Sequence, residues 1–264
     1  MPKVSICIPA YKEVSFLERC LDSIAIQTYT DYEIIITDDS PGDNIGELVR
    51  KYNHLPINYH KNLKSLGSPD NWNKAISMAS GEYIKIMHYD DWFASSESLK
   101  KMVKPLEEDL RISFVFCAFA EVGENHVIHR YPTFIELFYL KRNPKVLGLG
   151  NFIGPPSVTL YRNYPEFTFD NYLVWFVDIE QYIRILIQLR RFVYINEELV
   201  YNGYSEKQIT RRCINNQELI ERERNYLNNK LDIKYNIPFL VYHTIKNVCI
   251  PTVKKFLGIK RRLL

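Results

Sequence analysis

Short apolar runs alternate with stretches of helical periodicity along the first 120 residues. The apolar runs predict buried strands at 3–9, 32–37, 57–60, 82–88 and 112–119. The stretches between them predict helices at 15–27, 45–52, 71–80 and 95–106. Ser15 and Glu18 have the spacing of a capping box at the first helix. This alternation predicts an α/β fold, a mostly parallel Rossmann-like sheet with helices on both faces.

The alternation is less regular after residue 120. Residues 151–162 predict a proline-rich turn into a strand, 174–189 a helix, and 191–202 one or two strands. Residues 206–232 predict a polar helix. The tail predicts an amphipathic helix that Pro238 and Pro251 interrupt.

Polar clusters follow three of the predicted strands, at 10–13, 38–44 and 88–92. In open parallel sheets, ligands bind beyond the carboxyl ends of the strands. The three clusters therefore predict one binding site on one edge of the sheet.

Two pairs of adjacent aspartates lie in these clusters, Asp38 with Asp39 and Asp90 with Asp91. Like charges are costly to bury unless a cation lies between them, and Mg²⁺ is usually held by one or two carboxylates plus substrate phosphates. The chain has no GxGxxG or Walker motif to bind a diphosphate, so a cation must compensate its charge. The alternative for each pair is an ordinary turn, in which aspartate is common.

Composition and charge limit the class of protein. The composition is that of a globular chain, and a net charge of +3 is too small to indicate nucleic acid as a partner. Five scattered cysteines indicate reduced thiols, no zinc site and a cytoplasmic setting. We expect neither a signal peptide nor a spanning helix. No acidic residue follows Asp232, so the basic tail could contact the inner face of the cell membrane or pack on the protein.

Five segments in order carry a family resemblance: VSICIPAYKE, YEIIITDDSPGDN, NWNKAISMASGEYIKIMHYDDWF, GPPSVTLYR and FVDIEQYIRIL. Together they resemble the GT-A-fold glycosyltransferases of family 2, inverting enzymes that build bacterial surface polysaccharides. The resemblance covers residues 2–210. It implies a catalytic domain at 1–210, with a nucleotide-sugar half at 1–120 and an acceptor half at 121–210. A helical basic extension would occupy 211–264.

The resemblance also implies a donor site and a metal site. Asp39, with Asp38 beside it, matches the aspartate that recognises the base, and Asp90 and Asp91 match the ribose and metal positions of the family's DxDD motif. The cofactor would be Mn²⁺ or Mg²⁺. The nucleotide-sugar site would comprise Pro9, Ala10, Tyr11, Glu13, Asp38, Asp39, Asn73 and Asp90.

Asp178 occupies the position of the family's catalytic base, which takes the proton of the acceptor hydroxyl. Glu180 is the reserve candidate. The alternative for Asp178 is a helix N-cap or an ion pair with Arg184. Ser157 could contact the acceptor, although the two prolines before it favour a role in backbone shape.

The sequence departs from the family at four positions: His88, Trp72, Asn202 and Tyr204. His88 replaces the first aspartate of DxDD, and we expect it to be a neutral hydrogen-bonding residue because histidine is a poor Mg²⁺ ligand. Tyr204 replaces a histidine that carries a metal-ligand role. Lys207, Arg211 and Arg212 could offset diphosphate charge or form a solvated helix face.

The chain is therefore predicted to move a sugar from a nucleotide-diphospho-sugar, first of all a UDP-sugar, to a saccharide or lipid-linked acceptor. The departures leave a second hypothesis open, a non-catalytic nucleotide-sugar-binding or scaffolding subunit of a polysaccharide assembly complex. A nucleotidyltransferase is disfavoured, because such enzymes need a glycine-rich, basic loop after the first strand.

Overall fold

A computed structural model describes residues 1–203, Cys213, 216–234 and 237–249. The strands of this part are β1 Val4–Ala10, β2 Tyr32–Asp38, β3 Ile57–Lys61, β4 Tyr83–Ile86, β5 Trp92–Phe93, β6 Phe114–Val122, β7 Val127–Arg130, β8 Thr159–Arg162 and β9 Phe192–Gly203. Within the described residues they form one sheet in the order β3-β2-β1-β4-β8-β6-β9-β5, and β7 pairs with β6 at the side.

Strands β1 to β4 are parallel, which confirms the parallel arrangement predicted for the first half of the chain. Strand β8 runs antiparallel to both of its neighbours, β4 and β6, whereas β6 and β9 are parallel. Six of the described strands thus run in one direction, as predicted, whereas β8 in the middle and the short strands β5 and β7 run the other way. Because β1, β2 and β4 share a direction, the segments after Ala10, Asp38 and Ile86 meet at one edge.

Helices cover the sheet and include all four that the first 120 residues predict. Their bounds are α1 Val14–Ala25, α2 Asn44–Lys51, α3 Asp70–Ser77, α4 Ser98–Glu108, α5 Phe134–Arg142, α6 Val177–Leu189, α7 Gln217–Leu231 and α8 Ile237–Thr244. A π-helical turn, Ile245–Cys249, follows α8. Sequence patterns missed α5, β5 and β7, which are short or lack a clear apolar period.

Two local predictions were wrong. Ser15 lies inside α1, whose N-cap is Glu13 without a side-chain cap, so the predicted capping box does not form. A capping box does form at α5, between Thr133 and Glu136. Pro238 lies in the first turn of α8, where a missing N–H costs nothing, so it does not interrupt that helix. Pro251, the boundary at residue 210 and residues 206–212 of the predicted polar helix lie outside the described residues.

A buried cation in the core supports the edge where the site lies. Lys85 of β4 is fully buried, and its Nζ donates hydrogen bonds to the carbonyl oxygens of Ser157 and Thr159. Burial lowers the pKa of Lys85 to about 8. The contact fixes the short 3₁₀ turn Pro156–Val158 against the end of β4.

Candidate active site

The loop after β4 places Asp91 in a closed environment. Its side chain is fully buried, and its Oδ1 accepts hydrogen bonds from Asn202 Nδ2 at 2.6 Å and Gly203 N at 3.1 Å. Its Oδ2 lies 3.9 Å from His88 Nδ1. Among the described residues, this Oδ2 and His88 Nε2 are buried without a hydrogen-bond partner. Buried polar atoms of this kind call for an explanation.

A divalent cation fits these side chains. His88, Asp90 and Asp91 offer one ligand atom each within 4.8 Å of one another. Burial, and then the charge of Asp90, raise the pKa of Asp91, so its ionised form is unfavourable without a positive partner. Burial lowers the pKa of His88, which favours the neutral imidazole that metals bind. The sequence-predicted metal residues therefore lie together, with His88 beside them.

Strand β9 and helix α1 hold the backbone of this loop. Arg19 Nη2 donates to the carbonyl oxygen of Asp90 at 3.3 Å, and its guanidinium lies 3.5 Å from the ring centroid of Trp92. Gly203 lies so close to the same carbonyl that a Cβ there would overlap it. No sequence motif indicated Arg19, which precedes Asp90 by 71 residues.

The first aspartate pair divides into two roles. Asp38 is fully buried, and its carboxylate accepts from Ser40 N at 2.7 Å, Tyr59 Oη at 2.7 Å and Lys61 Nζ at 3.0 Å. Lys61 also donates to the Ser40 carbonyl. These contacts hold the turn after β2 against β3, so Asp38 has a structural part in this conformation.

Asp39 holds a loop that the sequence analysis missed. Its carboxylate accepts from Leu66 N at 3.1 Å, Gly67 N at 2.8 Å and Asn62 Nδ2 at 2.6 Å. The loop and the turn enclose a cleft of about 340 Å³, lined by Tyr11, Asp39, Ser40, Pro41, Lys61, Asn62, Leu63 and Ser65. The polar run after β3 was the available signal, because β3 ends at the same edge of the sheet.

The other residues predicted for the nucleotide site also lie at this edge of the sheet, but they differ in how much of each side chain is exposed. Pro9 and Ala10 are buried at the end of β1, so backbone shape is what they offer a ligand. Tyr11 is 43% exposed and lines the cleft. Glu13 is the N-cap of α1. Lys12, at a φ of 62°, donates its N–H to Ser40 Oγ at 2.7 Å, which joins the first two loops.

Asn73 and Trp72 connect helix α3 to the second half of the chain. Asn73 donates to the Phe169 carbonyl at 2.8 Å and accepts from the Phe169 N–H at 2.7 Å. The Trp72 ring lies 4.7 Å from the His88 ring and 5.0 Å from the Phe169 ring, centroid to centroid. The amide of Asn73 is thus used within the protein, and Trp72 forms a wall beside His88.

Asp178, the predicted base, lies in the first turn of α6 and is half-buried. Its Oδ1 accepts from Ile179 N at 2.8 Å and its Oδ2 from Asn151 Nδ2 at 2.7 Å. Burial raises the pKa of Asp178 to about 6, although these hydrogen bonds oppose the shift. A carboxylate with a raised pKa is a stronger base at neutral pH.

Neither alternative role for Asp178 is observed, because the N-cap of α6 is Phe176 and Arg184 binds another carboxylate. Arg184 does not pair with Asp178 but donates to Glu180, through Nε at 2.8 Å and Nη2 at 3.0 Å. Glu180 is fully buried and also lies 2.8 Å from Lys230 Nζ. Its carboxylate is therefore held between two cations, whereas Asp178 is accessible.

A short segment joins the Asp178 environment to the Asp91 environment. Asn151 accepts from Gly154 N at 2.9 Å, so the start of the segment is tied to the residue that holds Asp178. At its other end, Ser157 Oγ accepts from His88 N at 2.9 Å. Gly154 and Ser157 are three residues apart, and an extended chain of that length spans about 10 Å. The two sites therefore border the same region.

The mixed α/β sheet, flanked by helices and with carboxylates along one edge, has the arrangement of the GT-A fold. The sequence model of glycosyl transferase family 2 matches residues 5–166, and the chain belongs to that family.

Curated relatives agree with this membership. The chain is 32% identical over 128 residues to an uncharacterized glycosyltransferase of Methanocaldococcus jannaschii, covering 47% of this chain and 44% of the relative. It is 36% identical over 105 residues to the poly(ribitol-phosphate) beta-glucosyltransferase of Bacillus spizizenii, covering 37% of this chain and 16% of the relative. The chain thus spans less than half the length of these curated relatives.

Solved structures show the same GT-A fold. The S. aureus TarS fragment 1–349 in complex with UDP-GlcNAc aligns over 98% of this chain and 76% of its own length, with a TM-score of 0.64 and 16% identity. The mannosyltransferase PcManGT of Pyrobaculum calidifontis, in complex with GDP-Man and Mn²⁺, aligns over 98% and 81%, with a TM-score of 0.62 and 16% identity.

Proposed function

We propose that the protein transfers a sugar, with inversion, from a nucleotide-diphospho-sugar to a hydroxyl group of a saccharide or lipid-linked saccharide. The observation that carries this proposal is the segment 154–157, which links the surroundings of Asp178 to those of Asp91. A donor diphosphate near Asp91 and an acceptor hydroxyl near Asp178 would then both border the space for one sugar ring.

The donor would enter from the cleft beside Tyr11. Tyr11 offers an aromatic face and Asp39 a carboxylate to the base, with Asp90 at the ribose. UDP is the first candidate, since TarS, whose fold this chain shares, is solved with UDP-GlcNAc. GDP is the second, since PcManGT is solved with GDP-Man.

Asp91, with Asp90, would hold Mn²⁺ or Mg²⁺. The unpartnered Oδ2 of Asp91 supports this assignment. When bound, such a cation offsets the negative charge that develops on the leaving diphosphate.

Asp178 would take the proton from the acceptor hydroxyl. The hydroxyl oxygen forms a bond to the anomeric carbon while the bond from that carbon to the donor phosphate oxygen breaks, and the nucleoside diphosphate leaves with the electron pair. Attack from the face opposite the diphosphate inverts the anomeric configuration. Asn151 and the Ile179 N–H orient the carboxylate, which retains lone pairs for the proton.

The product would belong to a cell-surface polysaccharide. The names of the relatives support this class, because one is a poly(ribitol-phosphate) beta-glucosyltransferase and others are a chondroitin synthase and a hyaluronan synthase. These similarities cover only part of each relative.

Calorimetric titration tests the donor site before any acceptor is known. Purified protein is titrated with UDP, GDP and common UDP-sugars, with and without Mn²⁺, in wild type, Asp91→Ala and the control Asp109→Ala. We expect metal-dependent binding that is lost only in Asp91→Ala. If no nucleotide binds under either condition, the scaffolding hypothesis replaces the enzymatic one.

A further inference from the structure

Helices α5 and α8 lie side by side on the surface of the protein. Thr133 Oγ1 and Tyr242 Oη share a hydrogen bond of 2.7 Å, and Lys246 Nζ donates to Glu136 at 2.6 Å. The rings of Tyr139 and Phe239 lie 5.0 Å apart between the helices. These contacts join the two helices into one unit, called here the α5–α8 face.

The outward side of this face is apolar. Phe134 is 81% exposed and Ile237 is 73% exposed, which is unusual for such large apolar side chains. The exposed apolar residues of the face are Phe134, Ile135, Phe138, Ile237, Leu240, Val241 and Ile245. Those of α8 and its π turn recur at intervals of three and four residues, so they share one side of the helix. Exposed apolar patches of this kind mark interaction surfaces.

The charge around the face is positive. Among the described residues of 131–145 and 233–249, there are five basic side chains and one acidic one. The acidic residue is Glu136, which is buried and paired with Lys246. The guanidinium of Arg142 lies 3.5 Å from the centroid of the Phe138 ring, and Lys141 is exposed next to it. Asp232, just before this range, is exposed and lies 3.5 Å from Lys234, while the basic side chains of α5 lie next to its exposed apolar ones.

We propose that the α5–α8 face binds the surface of an anionic lipid bilayer. The apolar side chains would enter the boundary between headgroups and acyl chains, and the basic side chains would contact anionic headgroups. The inference does not depend on sugar transfer, and it adds a defined surface to the membrane contact predicted for the basic tail.

Vesicle sedimentation tests this surface. The full chain is mixed with vesicles of phosphatidylcholine alone or with phosphatidylglycerol, and the bound fraction is measured for wild type, Phe134→Ser/Val241→Ser and the control Leu110→Ser. Leu110 is 78% exposed but lies between α4 and β6. We expect binding to anionic vesicles that weakens by about tenfold or more in the double variant only.

Two results would overturn the membrane proposal. Equal binding by the double variant and wild type would assign any membrane contact to other residues, such as the basic tail. A dimer in solution that the double variant abolishes, without vesicle binding by wild type, would assign the face to a second copy of the chain. Circular dichroism of each variant shows that it is folded.

A separate observation concerns the helix that carries Asp178. Glu223 of α7 is fully buried, and its carboxylate accepts from three consecutive backbone N–H groups, those of Val174 at 2.9 Å, Trp175 at 2.8 Å and Phe176 at 3.2 Å. These residues lead directly into α6, which begins at Val177. Phe176 is the N-cap of α6, so Glu223 holds the backbone that enters the helix, and a negative charge near a helix N-terminus is favourable.

Other contacts hold α7 along the same region. Lys230 Nζ lies 2.6 Å from Asp170 and 2.8 Å from Glu180, and Tyr226 Oη donates to Asp170 at 2.7 Å. Leu227 is fully buried. Helix α7 is therefore fixed both at the segment before α6 and at the first turn of α6.

We infer that Glu223 is a positioning residue for Asp178. The inference rests on the proposed function, because it assumes that Asp178 is the base. Without Glu223, three N–H groups lose their acceptor and the first turn of α6 is free to shift, which moves the carboxylate relative to the acceptor hydroxyl. The donor site lies on other elements, so donor binding should not change.

Glu223→Ala, Glu223→Gln and the control Glu221→Ala, an exposed residue of the same helix, test this role. We expect kcat to fall by about tenfold or more in Glu223→Ala with donor Kd unchanged, and less in Glu223→Gln, which keeps one acceptor oxygen. The pH midpoint of kcat should also move in Glu223→Ala. A lower Tm with kcat and pH profile unchanged would overturn the inference.

The variant Asp178→Asn distinguishes an error in the positioning role of Glu223 from an error in the proposed function. If Asp178→Asn keeps full transfer activity, the proposed base is wrong. If Asp178→Asn is inactive while Glu223→Ala has the kcat and pH profile of wild type, only the positioning role is wrong.

Discussion

Asn151 Nδ2 lies 2.7 Å from Asp178 Oδ2, and Asn151 Oδ1 accepts the N–H groups of Ile153 and Gly154 at 3.1 and 2.9 Å. One amide thus binds the carboxylate of the predicted base and shapes the loop that leads to Ser157. Asn151 lies in none of the motifs that carry the family resemblance, yet it is the side-chain donor to Asp178.

Replacing Asn151 with aspartate should raise the pH at which the protein becomes active. The new carboxylate keeps the acceptor oxygens for Ile153 and Gly154 but places a like charge against Asp178, which raises the pKa of the base by about 1 unit or more. The measurement is kcat/KM against pH, with Asn143→Asp as the control. An unchanged midpoint would mean that Asp178 does not set the profile.

The wild-type profile should rise through about pH 6. Burial raises the pKa of Asp178 to about 6, and only its ionised form can accept a proton, so activity should be lost as the pH falls below that value. Asp178→Asn should lower kcat by about 10² to 10⁴ at neutral pH and remove this limb, since an amide has no comparable basicity. Donor Kd, measured by calorimetry, should stay within about twofold. Transfer at the wild-type rate would exclude Asp178 as the base.

Asp91→Asn should stabilise the metal-free protein and abolish metal-dependent donor binding. Asparagine can accept the same hydrogen bonds from Asn202 and Gly203, and it removes a buried carboxylate whose ionised form is unfavourable. In EDTA we expect the free energy of unfolding of the variant to exceed that of wild type by about 1 kcal/mol, which raises Tm by about 2–4 °C. Metal-dependent donor binding should be lost. Thermal denaturation of wild type and variant measures the first effect. A lower Tm in EDTA would show that the carboxylate stabilises the metal-free fold.

His88→Asp should change the preference among metals. An imidazole favours Mn²⁺ over Mg²⁺, whereas a carboxylate accepts both, so the ratio of Mg²⁺ to Mn²⁺ dissociation constants should fall by about tenfold in the variant. Direct calorimetric titration with each metal in the presence of UDP gives the ratio without an activity assay. If the ratio of Mg²⁺ to Mn²⁺ dissociation constants is the same in both proteins, His88 is not a metal ligand, and the sequence-based expectation of a neutral hydrogen-bonding residue stands.

Local pattern was enough to find strands β1 to β4 and the polar segments that follow them. Adjacent aspartates after an apolar run predicted the loop of Asp90 and Asp91, and alternation of strands and helices predicted the order of the first half. The reversed strand β8 and the short strand β5 depend on pairing with distant segments, which periodicity does not record.

The contacts that orient the site are mostly long-range, and this is why the sequence did not reveal them. Arg19 reaches Asp90 across 71 positions and Glu223 reaches Phe176 across 47. Asp38 and Asp39 look equivalent in the sequence. They differ in the fold because one side chain points into a network with Tyr59 and Lys61, while the other binds loop residues beside the cleft.

Gly203 restricts the conformation of the loop after β4. Any side chain there would collide with the carbonyl oxygen of Asp90, and a backbone atom cannot move aside as a flexible side chain can. When new relatives are sequenced, those with a larger residue at this position should also differ in the loop after β4. The residue type at this one position therefore distinguishes relatives that keep the conformation of this loop from relatives that do not.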